Sequence, residues 1–155
     1  MGVLAKNINP RKLYRWAIEC DGVETAYCQK CKLPKTEIGS AEHGDGPFYV
    51  KTASKVKFSD LEIDSLKPAE SSGVWWKDWL ALVVNLDSGA MGDPAVYKKT
   101  LFVVEYGSDG VTIVDRTEIR GAFPHEIDPA DLDKLAEGNV VDKLKFNVDR
   151  AVFQN

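Results

Sequence analysis

Short runs of alternating apolar and polar residues, separated by turn-forming residues, are the feature that most constrains the fold of this chain. The clearest two runs, residues 13–20 and 23–32, flank Asp21-Gly22. A strand places successive side chains on opposite faces, and an Asp-Gly dipeptide accepts the positive φ of a tight hairpin turn. The pattern therefore predicts a β-hairpin in which Cys20 faces Val23.

Further alternating runs bring the predicted number of strands to about seven. They occupy residues 48–52, 55–63, 97–106, 111–120 and 140–153. Near Ser59-Asp60 the apolar positions change phase, which predicts a bulge. Residues 35–47 are rich in glycine, charge and turn formers, so they predict an extended loop or the tip of a hairpin. Many short strands without an internal repeat favour a β-barrel or β-sandwich.

Residues 71–86 predict one clear α-helix. Ser71 or Ser72 is placed to cap its first turn, and Gly89 is placed to follow its end. Helical spacing predicts a core-facing stripe, formed by Trp75, Trp79, Leu82, Val83 and Leu86. A second apolar line lies beside it, formed by Trp76, Leu80 and Val84. Two explanations stay open: the helix is wholly buried at the end of a barrel, or the second line contacts another subunit.

Length and charge limit the class of protein. The chain has 155 residues and a formal net charge of −4, which suits one soluble domain and argues against a basic nucleic-acid-binding protein. No stretch resembles a signal peptide or a membrane span, so we expect synthesis in a cytosol without membrane insertion. The prediction is a mainly β protein. An N-terminal arm without periodicity, residues 1–12, precedes one domain, residues 13–155. This domain is a barrel or sandwich of antiparallel strands with an attached α-helix.

The three cysteines do not predict a metal site. Cys20, Cys28 and Cys31 are odd in number, so they cannot all pair within one chain and are expected to be reduced. On a regular strand, Cys28 and Cys31 point to opposite faces and cannot share a metal ion. The only histidines, His43 and His125, lack the spacing of zinc ligands. An outward Cys28 leaves a disulfide between subunits open.

No arrangement of residues typical of catalysis is found. The chain lacks a glycine-rich phosphate loop, a G-x-S-x-G elbow and an H-E-x-x-H motif, so we expect no enzyme activity and no cofactor. Candidate edge strands, a polar loop and an unusually apolar helix instead predict a structural protein that assembles with copies of itself. A monomeric ligand-binding barrel and a metal-binding module on Cys28 and Cys31 are the alternatives.

Four stretches, in this order and spacing, resemble a known family. They are CKLP at 31–34, VWWKDWL at 74–80, VYKKTLFVVEY at 96–106 with IRGAFPHEI at 119–127, and LKFNVDRAVF at 144–153. The chain resembles the tail tube proteins of contractile-tailed bacteriophages. It is more distantly similar to the tube proteins of type VI secretion and extracellular contractile injection systems.

The resemblance implies a tail-tube-like fold and a structural role in a virion. Hexameric rings would stack into a hollow, β-lined conduit, with a sheath protein outside and baseplate and tail-terminator proteins at the ends. Phage DNA would pass through the lumen during genome ejection, without sequence-specific binding. The subunit would be made in the host cytoplasm. The alternative is the tube of a type VI secretion or extracellular contractile injection system, which passes protein effectors.

Candidate contact residues follow from the apolar pattern and the charges. The subunit-interface candidates are Trp76, Leu80, Val84, Phe102 and Val104. The lumen candidates are Asp60, Glu62 and Asp64, which lie on one strand face and would repel DNA; an outer, solvated face is the alternative for these carboxylates. Residues 1–12 and 35–47 are expected to contact the adjacent ring and to order on assembly.

Overall fold

β-strands dominate the computed structural model, which describes residues 10–20, 23, 25–69 and 74–154. In chain order the elements are β1 (Trp16–Glu19), β2 (Cys28–Lys32), β3 (Thr36–Asp45), β4 (Phe48–Phe58), β5 (Leu61–Leu66), α1 (Trp75–Val83), α2 (Pro94–Tyr97), β6 (Lys99–Tyr106), β7 (Ile113–Asp128), β8 (Val141–Asn147) and β9 (Arg150–Gln154). The prediction of a mainly β protein with antiparallel sheets is confirmed. The described residues hold nine strands and a second, short helix.

Seven strands form one antiparallel sheet in the order β1-β6-β7-β8-β5-β2, with β9 also paired to β7. The first part of β7 pairs with β6 and β9, and its residues 123–128 pair with β8. β7 bends at Gly121, whose φ of 67° favours glycine, and a Cβ atom there would lie 2.0 Å from Asp149 Oδ2. The two strands at the ends of the sheet, β1 and β2, do not pair with each other, so the sheet does not close into a barrel.

Aliphatic side chains of the sheet and tryptophans of α1 share one core. The largest fully buried hydrophobic side chains are Phe146, Leu61, Ile63, Leu101, Ile119 and Leu144. The Trp75 ring stacks on Phe146 with centroids 6.1 Å apart, and the Trp79 ring lies 5.1 Å from the same ring. Trp75 Nε1 donates to Ser65 Oγ at 2.9 Å, and Trp79 Nε1 donates to the Tyr97 carbonyl at 2.7 Å. The first hydrogen bond joins α1 to β5 of the sheet and the second joins α1 to α2, so both indoles are satisfied.

α1 is shorter than the sequence predicts, because it ends at Val83 and not at residue 86. The chain becomes extended at Val84, with φ −149° and ψ 138°. Gly92 then packs against the end of the helix so closely that a Cβ atom there would lie 1.9 Å from the Leu82 carbonyl oxygen. The returning chain therefore takes the place of another helical turn.

The core-facing stripe predicted for the helix is only partly right. Trp75 and Trp79 are buried, whereas Leu82 and Leu86 are exposed. The helix is also not wholly buried, because Lys77 is exposed along with neighbouring positions. No helix of the described residues is long and apolar enough to span a membrane.

The predicted hairpin between the first two alternating runs is wrong. β1 pairs with β6 and β2 pairs with β5, so these strands lie at opposite ends of the sheet. A short 3-10 turn between them returns to β1, where the Ile18 amide donates to Thr25 Oγ1 at 3.0 Å. The predicted turn at Asp21-Gly22 and the predicted helix caps Ser71 and Ser72 lie outside the described residues.

The predicted bulge near Ser59-Asp60 is also wrong, because the change of phase marks a boundary between two sheets. β3 and β4 form a separate two-stranded sheet, and β5 belongs to the seven-stranded sheet. The Ser59 amide donates to the Lys35 carbonyl at 3.0 Å, and the Lys35 amide donates to Ser59 Oγ at 2.6 Å. Most of the stretch 35–47 is strand β3 of this small sheet.

The last alternating run, residues 140–153, forms two strands instead of one. β8 ends at Asn147 and β9 begins at Arg150. Both run antiparallel to β7, on either side of its bend. The Asp149 amide donates to the Arg120 carbonyl at 3.0 Å and holds the junction against β7.

Candidate assembly interface

The two-stranded sheet of β3 and β4, here called the arm, is exposed along almost its whole length. Its eleven-residue strand is about 36 Å long at the usual rise per residue. Near the tip, Phe48 and Tyr49 are 73% and 77% exposed. Among the described residues, no third strand pairs with the arm. An isolated two-stranded hairpin is marginally stable in water, so the arm needs another surface to pack on.

An apolar groove of about 660 Å³ runs beside α1. Trp76, Leu80 and Val84 line it together with Leu86, which is 76% exposed. Trp76 is only 6% exposed, and its Nε1 is buried without a hydrogen-bond partner in the described part of the chain. The second apolar line predicted for the helix therefore lies in one groove, with Trp76 beneath it and Leu86 at the surface.

The outward side of β6 is covered by side chains of its own protomer. The Arg116 guanidinium carbon lies 4.0 Å from the centroid of the Phe102 ring, and Arg116 Nη2 donates to Glu19 Oε2 at 3.0 Å. Val104, a neighbour of Arg116 in the strand register, is 0% exposed. For β6, the predicted subunit contact therefore depends on Phe102, which is half-buried.

Four tripeptides with the pattern charged-apolar-charged lie on four adjacent strands. They are Lys30-Cys31-Lys32 on β2, Glu62-Ile63-Asp64 on β5, Lys143-Leu144-Lys145 on β8 and Glu126-Ile127-Asp128 on β7. The central residues pack on or in the core, and the flanking residues point to the opposite side of the sheet. The order β2-β5-β8-β7 gives the signs plus, minus, plus, minus. We call this surface the charged face.

The strand register aligns these charges in two rows. In the first row, Lys32 lies opposite Glu62, Glu62 opposite Lys145, and Lys145 opposite Glu126. The corresponding nitrogen–oxygen distances are 3.7, 3.8 and 3.2 Å. The hydrogen bond to Glu126, followed by the charges of Glu126, Glu62 and Asp60, raises the pKa of Lys145. Each charge in the row thus has an opposite charge beside it.

The second row runs Lys30, Asp64, Lys143 and Asp128 in the same register. The two rows together hold four lysines and four carboxylates, so their formal charges cancel. Asp60 lies beyond the rows, where its Oδ2 is 2.9 Å from His125 Nε2. The structure therefore brings Glu62 and Asp64 together on one face with Asp60 at its end, but among lysines.

Sequence reasoning did not identify six members of the charged face. These are Lys30, Lys32, Glu126, Asp128, Lys143 and Lys145. The signal that could have found them is the repeated charged-apolar-charged tripeptide. The alternation of sign from strand to strand is recognisable only when the strand order is known.

Cys28 and Cys31 do not point to opposite faces, because β2 contains an irregularity between residues 28 and 30. Cys28 lies opposite Ser65 and Cys31 lies opposite Ile63, and both thiols pack against the core. Burial raises the pKa of each thiol to about 12. The predicted outward Cys28 is therefore wrong. Within the described ranges, no group of three or more His, Cys, Asp or Glu side chains is placed to hold a metal.

Only residues 10–12 of the predicted N-terminal arm belong to the described part of the chain. Arg11 Nη1 lies 2.6 Å from Glu105 Oε2 and 3.0 Å from Asp115 Oδ2. Glu105 and Asp115 are cross-strand partners on β6 and β7. This pair of carboxylates anchors the chain just before β1.

No protein-family model and no curated protein sequence matches the chain. Solved structures match it along nearly its whole length. A chain in the cryo-EM structure of an extracellular contractile injection system, PVC sheath/tube terminator in extended state, has a TM-score of 0.76 and 15% identity, covering 96% of this chain and 99% of that one.

Two further cryo-EM structures give similar values. The anti-feeding prophage cap, AFP tube terminating cap, has a TM-score of 0.76 and 16% identity, with 99% of both chains covered. The PVC sheath-tube complex in extended state has a TM-score of 0.71 and 16% identity, covering 94% of this chain and 91% of that one. The chain has the fold of these contractile-particle proteins, which is the predicted tail-tube-like fold.

Proposed function

We propose that this chain is a structural subunit of a tail-type tube, in which hexameric rings stack into a hollow conduit inside a contractile sheath. The observation that carries the proposal is the arm. A compact sheet with a contractile-particle fold extends an exposed two-stranded ribbon that no third strand supports among the described residues. Such a ribbon is marginally stable by itself, and packing on another subunit would stabilise it. The role is structural and involves no catalysis.

The contacts between rings are assigned to the arm and to the groove beside α1. The arm offers Phe48 and Tyr49, and the groove offers Leu80, Val84 and Leu86 over Trp76. Burial of such surfaces contributes about 25 cal/mol per Å² of apolar area. Residues 1–12 would add to these contacts, and Phe102 would contact a neighbouring subunit at the side of the ring.

The charged face is assigned to the wall of the lumen. It places Glu62 and Asp64 on a concave, four-stranded surface with Asp60 at one end. Because the lysines of this wall are paired with carboxylates, few lysine side chains are available to bind the phosphates of a passing nucleic acid, so the wall would not retain DNA. The sheath would lie outside, and baseplate and terminator proteins would close the ends.

Two cargoes are compatible with such a tube. In a bacteriophage virion, whose tail is assembled in the host cytoplasm, the conduit would deliver the genome. In a secretion or injection system it would pass protein effectors. One observation favours the second cargo: the rows of the charged face have no net charge, so they lack the excess of carboxylates expected to repel DNA. The solved contractile injection structures with the same fold support the same choice.

Electron microscopy of the purified protein at high concentration tests the proposal. The expected result is rings with a central hole, and stacks of rings at the highest concentrations. A matched sedimentation experiment on the same samples should show a large species that grows with concentration. Compact monomers at every concentration would contradict a tube subunit.

A further inference from the structure

The four strands that form the charged face have two open edges. β2 pairs with β5 on one side only, and residues 123–128 of β7 pair with β8 on one side only. β6 ends its pairing with β7 at Ala122, so it does not reach this part of the strand. Among the described residues, no strand covers the other side of β2 or of residues 123–128. Open edges are places where another chain can add a strand.

The two edges carry opposite charges on the same face. The β2 edge has Lys30 and Lys32, and the β7 edge has Glu126 and Asp128. Between the two edges, β5 carries two carboxylates and β8 carries two lysines, so the sign of the charge alternates from strand to strand. Because the number of strands is even, the row begins with one sign and ends with the other. Placing the next subunit beside it would continue the alternation.

We propose that β2 of one protomer pairs with residues 123–128 of β7 in the next protomer, with Lys32 opposite Glu126 and Lys30 opposite Asp128. These two charge pairs fix the direction and register of subunit addition around the ring. The inference rests on the proposed tube function and names the edges that its rings use. The partner is therefore a second copy of this chain, bound head to tail.

Strand direction agrees with this pairing. β2 is antiparallel to β5, β5 is antiparallel to β8, and β8 is antiparallel to β7. When the strand order is repeated, β2 of one protomer again meets β7 of the next in the antiparallel sense. Both charge rows then cross the subunit boundary without a change of face.

The same charges disfavour the competing pairings. A two-fold contact of β2 with β2 would place lysines opposite lysines, and a contact of β7 with β7 would place carboxylates opposite carboxylates. A shift of the β2–β7 register by one residue would turn the charged side chains of one strand to the core side. A shift by two residues would leave one lysine and one carboxylate without an opposite charge. The charges thus favour a heterologous, head-to-tail contact over a two-fold dimer, and such a contact forms a ring when the rotation between neighbouring subunits closes.

A charge-swap experiment tests this assignment. In K30E/K32E both edges are acidic, and in E126K/D128K both edges are basic. Each variant alone is expected to lose rings in electron microscopy and sedimentation, because every boundary would place like charges together. An equimolar mixture is expected to regain rings, since every boundary then joins opposite charges. Native mass spectrometry should find equal numbers of the two proteins in each ring.

The matched control is K143E/K145E, which reverses two lysines of the same face on an interior strand and leaves both edges native. It is expected to form rings, and thermal denaturation checks that all three variants fold. Should a reversed variant not fold, K30Q/K32Q and E126Q/D128Q replace it. Rings of the wild type are then expected to weaken with rising salt and those of the neutral variants to be insensitive to salt.

The outcomes separate the two proposals. Where the wild type forms rings, any one of three results would overturn the edge assignment and leave the tube function standing. The three results are single variants that still form rings alone, a mixture that does not regain rings, and neutral variants whose rings respond to salt as the wild type does. Absence of rings in the wild type itself would overturn the tube function and this assignment with it.

Discussion

At the scale of single residues, one irregular position in β2 decides where two thiols point. Regular alternation would separate Cys28 from Cys31, but the shift between residues 28 and 30 turns both toward the core. Sequence alone does not reveal such a shift, because nothing in the residues between the two cysteines marks it. The consequence is chemical, since a thiol that is half-buried against an apolar core stays protonated at neutral pH and is a poor nucleophile.

The two thiols are therefore expected to resist alkylation in the folded protein. Burial raises the pKa of Cys28 and Cys31 to about 12, so the reactive thiolate is scarce at neutral pH and increases only in alkaline solution. Mass spectrometry after iodoacetamide treatment at neutral pH should show slow labelling of both in the native protein and fast labelling after denaturation. Equal labelling rates in the two states would show that the thiols are not buried.

The groove beside α1 separates a residue that supports the fold from one that is available for contact. Trp76→Ala should lower the free energy of unfolding of the protomer by about 3–5 kcal/mol, because a buried tryptophan is removed. Leu86→Asp should change it by less than about 0.5 kcal/mol, because Leu86 is exposed. Urea denaturation of dilute protein measures both values.

Leu86→Asp should nevertheless prevent the stacking of rings in electron micrographs, since it places a charge in the groove. Lys134→Asp, a substitution on the exposed segment between β7 and β8, is the matched control and should stack normally. Stacks of normal length formed by Leu86→Asp would remove the groove from the contacts between rings.

At the scale of elements, the arm shows why part of the fold is readable from the sequence and part is not. The strands of the large sheet alternate because one face is buried, so their existence is predictable. β3 has no buried face in its own protomer, and its glycines and charges therefore predict a loop. Alternation also does not show which strand pairs with which. It predicts a β1–β2 hairpin, whereas β1 pairs with β6 and β2 pairs with β5.

The arm can be removed without disturbing the body. Lys35 and Ser59 are joined by two hydrogen bonds of 3.0 and 2.6 Å, so a short glycine-serine linker can replace residues 36–58. The shortened protein is expected to keep its melting temperature within a few degrees and to form single rings that do not stack. Electron microscopy and thermal denaturation measure the two effects. Normal stacks from this variant would contradict the role given to the arm.

At the scale of the whole molecule, the net charge of −4 says little about the surface that faces a partner or a cargo. The charged face has equal numbers of lysines and carboxylates, and it becomes visible only when β2, β5, β8 and β7 are placed side by side. Glu62 and Asp64 are recognisable in the sequence as two charges on one strand face. Their neighbouring lysines come from distant parts of the chain, so only the topology reveals that they are paired.

A cryo-EM reconstruction of the wild-type protein assembled at high concentration tests the proposed tube function most directly. We expect stacked rings in which the charged face lines the central channel and the arm of each subunit contacts the adjacent ring. Protein that remains monomeric would contradict the tube function, and a channel lined by a different face of the sheet would contradict the role proposed for the charged face.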